Sequence, residues 1–198
     1  MPKEREESFL SALPFTLCLM RIESVSLNPE HGFSKSPRTS ITLVAGEGVE
    51  GDAHRGRTTQ HLYLKRKDPS LPNLCQVHLI GSELLQELAA KGFSLNPGEL
   101  GENILTRGLD LINLPAGTLL HLGSEAVIEV TGLRTPCSQI DEFRTGLQQH
   151  LWGPRDAANQ KVRRAGVMSV VRTGGIVRAH DSILVTLPPE PHVALGPV

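Results

Sequence analysis

Long helical patterns, paired cysteines and an excess of either charge are all missing from this sequence. Its three cysteines, Cys18, Cys75 and Cys137, are odd in number, widely spaced and form no CxxC. That argues against a disulfide framework and fits a reducing compartment, so the expected location is cytoplasmic. Lys and Arg number 20 against 21 Asp and Glu, a net charge of −1. Such a balance gives no global attraction for nucleic acid or a membrane surface, and neither is expected as a partner. No apolar run approaches the roughly 20 residues that span a bilayer. Phe9 to Met20 is mildly apolar, but acidic residues precede it, Pro14 interrupts it, and the basic start of a secretory signal is lacking. Internal repeats and low-complexity tracts are absent as well.

What is present is turn chemistry. Nineteen Gly and fourteen Pro are spread over 198 residues, one domain's length and enough to bury a core. Residues 1–19 read as a flexible extension, 20–188 as the domain and 189–198 as a tail. Arg21 to Leu27 alternates apolar and polar residues, the period of a half-buried strand. Further strands are expected at Ser40–Val44, His61–Lys65, from Ile104, and at Leu119–Leu122, Ala126–Leu133, Val162–Val171, Ile176–Arg178 and Ile183–Leu187, while Val77–Ile80 reads as a strand or as the entry to a helix. Helices are expected at Ser82–Lys91, with Ser82 as its cap and Gly92 as its stop, and at Asp141–Leu151. Many short strands between turns, with one or two peripheral helices, describe a mainly β fold of the barrel type.

The stretch Thr131 to Asp141 carries the most chemistry. An apolar, β-branched strand ends in Pro136-Cys137, and proline cannot continue regular pairing, so the thiol is presented on a turn. Arg134 stands three residues before it, and a nearby cation favours the thiolate, which is both nucleophile and soft metal ligand. A packed, inert cysteine is the plainer alternative. Two other polar segments also lie at expected strand ends. One is Asp52-Ala53-His54-Arg55, in a loop with four glycines in eleven residues (Gly46 to Gly56), and the other is Glu102-Asn103 after Pro97-Gly98. If a barrel gathers these ends, they form one site with a thiol, cations and amides, suited to a soft metal carried by an anionic organic ligand. Singly, each residue has a simpler role. His54 and His61 are seven apart, not a usual zinc spacing, and read more naturally as hydrogen-bonding histidines. Asp52 after Gly51 is a turn former and Asn103 a loop cap. The Lys65–Lys67 run and Arg163-Arg164 read as solvated.

Taken in order, these segments resemble the MOSC family, named for the C-terminal domain of molybdenum cofactor sulfurases. The resemblance rests on Gly48-Val49-Glu50-Gly51-Asp52-Ala53-His54, Gln76-Val77-His78-Leu79-Ile80, Pro97-Gly98-Glu99-Leu100-Gly101-Glu102-Asn103-Ile104, Leu114-Pro115-Ala116-Gly117-Thr118, Thr131-Gly132-Leu133-Arg134-Thr135-Pro136-Cys137 and Arg164-Ala165-Gly166-Val167-Met168. It runs from about Met20 to about Pro188.

The resemblance implies a barrel of the pyruvate-kinase type. It also implies that Cys137 carries sulfur or ligates the molybdenum of a pyranopterin cofactor, so that Cys137 is both the catalytic and the metal-binding residue. Arg134, Asn103, Glu102, His54, Arg55, Asp52 and His61 are the residues expected to position cofactor or substrate. Proteins of this kind standing alone look like small molybdenum enzymes reducing N-hydroxylated bases, or sulfur-delivery proteins. A pyridoxal-phosphate desulfurase domain accompanies the family domain in full-length sulfurases, and pyridoxal phosphate is not expected to bind this chain. Three classes follow: a molybdenum-dependent oxidoreductase served by an electron-donor protein, a carrier passing sulfur from a Cys137 persulfide to an acceptor, and a non-catalytic module for an anionic ligand. Two departures from the family pattern stand out. Cys75 occupies a place where a basic residue is expected, and Arg178-Ala179-His180-Asp181 replaces a Gly-Asp turn.

Overall fold

A computed structural model describes residues 20–156 and 159–198. The expected flexible extension, residues 1–19 with Cys18, lies outside the described residues. Thirteen strands are described: β1 (Arg21–Leu27), β2 (Ser36–Arg38), β3 (Ser40–Val44), β4 (Gly48–Val49), β5 (Val77–Gly81), β6 (Ile104–Arg107), β7 (Leu119–Leu122), β8 (Ala126–Leu133), β9 (Trp152–Arg155), β10 (Lys161–Arg163), β11 (Val167–Thr173), β12 (Gly175–Arg178) and β13 (Ile183–Thr186). With them come three short helices, α1 (Leu62–Lys67), α2 (Ser82–Ala90) and α3 (Gln139–Phe143).

The main sheet runs β13-β7-β8-β11-β5-β6-β1-β2. Its neighbours are antiparallel except β5 and β6, which are parallel. A parallel pair needs a crossover, and α2 supplies it. The sheet curls until β1 reaches the chain entering β13. There Arg21 and Ser182 form a bridge, and Ile22 N–H and Ile183 N–H donate to Asp181 O and Met20 O, each at 2.9 Å. The mainly β, barrel-type architecture read from the sequence is thus found, but the ladder itself does not close. One bridge, rather than two paired strands, joins its ends. Strands β12-β3-β4 form a second sheet, and β9 with β10 a hairpin.

Alternation along the strands decides which side chains face inward. In β8 Ala126, Ile128 and Val130 are buried at every second position, and they join Val77, Leu79, Val167 and Val171 in the main core. Burial of each large aliphatic side chain contributes about 1.5–3 kcal/mol. A second core lies outside the sheet, where Ile80 and Leu105 pack with Leu85 and Leu88 of α2, Ile140 of α3, Leu147 and Leu151. β5 therefore has apolar residues on both faces, buried at Val77 to Ile80.

Several expected elements differ. There are three short helices and two 3-10 turns, at Leu111–Asn113 and Gln148–Leu151, rather than one or two helices. His61–Lys65, expected as a strand, belongs to the region of α1. The apolar triplet Leu62-Tyr63-Leu64 followed by three basic helix formers has no period of two. The expected Asp141–Leu151 helix is interrupted at Gly146, whose φ is +82°, leaving α3 and a 3-10 turn. Val162–Val171 is split at Gly166 into β10 and β11. Ser82 is the first residue of α2 and Gly81 occupies the cap position, so no side chain caps that helix. Residues after β13 turn back onto the fold, with Pro115 bridging Ala194 and Leu133 bridging Pro197. No helix among the described residues is long and apolar enough to cross a membrane.

Candidate functional site

A cavity of about 860 Å³ lies against the outer face of the β8-β11-β5 region. Its floor includes His78 and Met168, which pair across β5 and β11, while their neighbours Leu79 and Val167 face the inner core. The site is therefore on the flank of the sheet, not where converging strand ends would open a barrel. Lys35, His54, Asn103, Arg134, Cys75 and Cys137 line it, and Tyr63, Leu64, Leu71 and Leu74 form an apolar rim. The volume lies in the range of small-molecule sites.

Behind the polar wall, Asp52 is a buried hub. It accepts from Lys35 Nζ, from Asn103 Nδ2 at 3.0 Å, from Asn28 N–H at 3.2 Å and from His54 N–H at 2.9 Å. Burial alone would raise its pKa, but the hydrogen bonds from His54 and the charge of Lys35 outweigh that and hold it well below the usual carboxylate range. Burial draws the Lys35 amine down from its usual value, with Asp52 opposing. Asn103 also donates to Ser26 O at 3.1 Å, and its Oδ1 accepts from His78 N–H at 3.2 Å. Each of these polar groups is thus fixed before any ligand arrives.

Lys35 is brought to the cavity by two glycines. Lys35 N–H donates to Gly98 O at 2.8 Å, and a Cβ on Gly98 would collide with Lys35 O. A Cβ on Gly101 would stand 2.5 Å from Phe33 O. Both glycines have positive φ, +86° and +81°, so neither contact survives a larger residue without strain.

On the other side, Arg134 donates to Leu100 O and its guanidinium lies 5.6 Å from the centre of the Phe33 ring. Burial opposes its charge, and the groups that favour it are Cys137, Glu102 and Cys75. Glu102 is 1% exposed. Its carboxyl is pushed up to about 7 by burial, despite a hydrogen bond from Gly98 N–H and the charge of Arg134, and its Oε2 is buried without a partner. Cys75 is pushed up to about 11 by burial. His78 is driven down to about 3, by burial first and by Arg134 second. Its ring is neutral, and Nε2 donates to Ala165 O at 2.8 Å. Cys137 is half-buried, with Sγ 3.7 Å from Gln139 Oε1.

Of the residues singled out from the sequence, Cys137, Arg134, Asn103, His54 and His61 reach the cavity. His54 stacks on His31 with ring centres 5.3 Å apart, and His61 is exposed on the rim. Asp52 and Glu102 stand behind the wall rather than on it. Arg55 does not join them: it pairs with Glu47 at 2.8 Å, because the glycine loop turns it towards its own neighbour. Lys35, Phe33, Asn73 and His78 were not among the expected site residues. His78 lies in Gln76-Val77-His78-Leu79-Ile80, and its lone polar position within the apolar run Val77–Ile80 is the signal the sequence offers. Lys35 had none, since its place depends on contacts with residues 98–101. Asn73 ties the glycine loop to the approach to β5, donating to His54 O at 2.9 Å and Gly56 O at 3.0 Å. Among the described residues no three His, Cys, Asp or Glu side chains form a metal cage. A smaller cavity of about 320 Å³, lined by α2, Leu109 to Ile112 and Arg164, lies apart from both thiols.

The sequence profile of the MOSC domain matches residues 67–184. The crystal structure of the YUAD protein from Bacillus subtilis superposes with a TM-score of 0.70 at 22% identity, over 86% of this chain and 97% of that one. YiiM from Geobacillus stearothermophilus superposes with a TM-score of 0.62 at 16% identity, over 88% and 79%. YiiM from Escherichia coli gives 0.57 at 18% identity, over 87% and 73%. At these identities the likeness is one of fold. No curated protein matches the chain. The profile spans more than half of the sequence, and the chain belongs to the MOSC domain family.

Proposed function

We propose that this member of the MOSC domain family holds a molybdenum–pterin species in the flank cavity, with the Cys137 thiolate as the protein's ligand to the metal. One observation carries the reading: a half-buried thiol shares a cavity of about 860 Å³ with two cations, Lys35 and Arg134, and with Asn103. The donor set fits such a group. Burial keeps Cys75 in its thiol form, and among the described residues no three His, Cys, Asp or Glu side chains form a cage, so a metal held by Cys137 has to bring its remaining ligands with it. An anionic organic carrier meets cations already in place to receive it.

When bound, the group would supply oxygen-atom exchange with an N-hydroxylated substrate. The chain's own residues bind and orient. Asp52 holds the Lys35 amine and the Asn103 amide together in one wall of the cavity, with Arg134 close by. The rim of Tyr63, Leu64, Leu71 and Leu74 offers an apolar surface to a substrate at the cavity mouth. Glu102 can hold or release a proton close to neutral pH beside Arg134, out of contact with solvent. A small-molecule substrate and an electron-donor protein are the partners this activity requires.

The test is the molybdenum and pterin content of protein purified from a molybdenum-replete host. Wild type should carry close to one molybdenum per chain, and Cys137→Ser should carry none while remaining folded. Metal retained by the folded serine variant would show that Cys137 is not the ligand. A second reading, a sulfur carrier, is favoured by the Arg134 guanidinium beside Cys137, a cation placed to stabilise an anionic persulfide. Sulfur released by cyanide from metal-free protein, and absent from Cys137→Ser, would support it.

A further inference from the structure

One wall of the cavity comes from far along the chain. Beyond β13 the backbone returns over the outside of β8. Ala116 N–H donates to Val193 O at 2.8 Å, Leu133 N–H to Gly196 O at 2.7 Å, and Val198 N–H to Leu133 O at 3.3 Å. Leu195 packs on the main core and anchors the run. The strap crosses Gly132, which pairs with Met168. A Cβ on Gly132 would lie 2.7 Å from Gly196 O and 2.5 Å from Val198 Cγ1. This glycine is needed for closeness and not for its torsion. Val198 therefore sits over a bare spot on the outer face, and both Val198 and Met168 line the cavity. Leu133, gripped by the strap through its N–H and its C=O, directly precedes Arg134 and the turn that presents Cys137.

We infer that the strap of residues 193–198 is the size-selective wall of this cavity: Val198, seated on Gly132, limits the bulk of what reaches Cys137. The inference rests on the geometry of the cavity and holds whichever group the cavity takes up. It makes Val198 a specificity-determining residue, and Gly132 the residue that positions it.

The test compares two thiol reagents of different bulk, iodoacetamide and fluorescein maleimide, on the full chain, with labelling assigned to Cys137 by peptide mass spectrometry. Val198→Gly opens the wall. The ratio of the bulky to the small reagent's rate should rise about tenfold, equivalent to ~1.4 kcal/mol of relieved barrier. Val198→Phe narrows the opening and should lower the same ratio, which keeps the test decisive if the glycine variant does not fold. A general loosening of the fold would speed both reagents alike. An unchanged ratio in the folded variants, whether both rates rise together or neither moves, would overturn the inference. The chain is first freed of any bound metal, because a metal held by Cys137 would block alkylation of wild type and variants alike; the ratio then reports the opening onto the thiol and not the group the cavity takes up.

Discussion

Lys35 and Asp52 form an ion pair closed off from water, with side chains 6% and 2% exposed. Removing one member of such a pair leaves the other charged and buried, at a cost of about 3–5 kcal/mol. Asp52→Asn should therefore lose about that much stability at pH 7. Because the folded-state pKa of Asp52 is depressed, its contribution is present above the ordinary carboxylate pKa and is lost as pH falls through the folded value. The gap between wild type and variant should shrink in acid. Urea melts at pH 7 and pH 3 would check this, and a gap constant with pH would refute it.

Glu102 titrates in the opposite sense. Its folded pKa is raised to about 7, so the folded protein binds a proton that the unfolded chain has already lost. The associated stability is present below about pH 4.5 and is lost as pH rises through 7. Glu102→Gln keeps the shape without the charge, and should gain on wild type by about 3 kcal/mol between pH 5 and pH 8. Parallel denaturant curves at the two pH values measure the difference.

The two described thiols should react very differently. Cys75 is held at about 11 by burial, so only a minute fraction is thiolate at neutral pH. Iodoacetamide at pH 7 should label Cys137 well before Cys75. Peptide mapping of a time course decides it, and equal rates would mean that Cys75 is open to solvent.

Gly51 and Gly98 share a positive φ, +76° and +86°, but not their surroundings. Nothing lies within 4 Å of a Cβ added at Gly51, whereas one at Gly98 meets Lys35 O. Asparagine tolerates that torsion. Gly51→Asn should therefore cost less than about 1 kcal/mol, and Gly98→Asn clearly more. Thermal melts of both variants test the contrast, and equal losses would show that torsion rather than contact sets the requirement.

Strands β7 and β8 are legible to the residue, because the apolar runs Leu119–Leu122 and Ala126–Leu133 flank the Gly123-Ser124-Glu125 turn. Alternation alone would put Val130 and Gly132 on one face, but a register shift between them leaves Val130 in the inner core and Gly132 on the outer face beside the cavity. The side on which a ligand lies falls to the outer core and the strap, which come from elsewhere in the chain. Lys35 is not legible for the same reason, since it lines the cavity only because Gly98 and Gly101 allow its backbone close. Arg55, expected in the site from its place beside His54, pairs instead with Glu47 in the same loop. Cys137 and Arg134 were readable because the proline, the thiol and the cation are local to one turn.

The bridge between Arg21 and Ser182 joins positions about 160 apart. On the side of β1 away from β6, β2 covers Val25 to Leu27, but Arg21 and Ile22 have no partner there until the chain entering β13 has been made. During synthesis that edge stays open to other strands for almost the whole time of translation, and closure is among the latest contacts to form. Once folded, so thin a seam is where the wall parts most readily. Amide protons of Ile22 and Ile183 should therefore exchange with solvent sooner than those of Ile128 or Val130, which lie at the middle of β8.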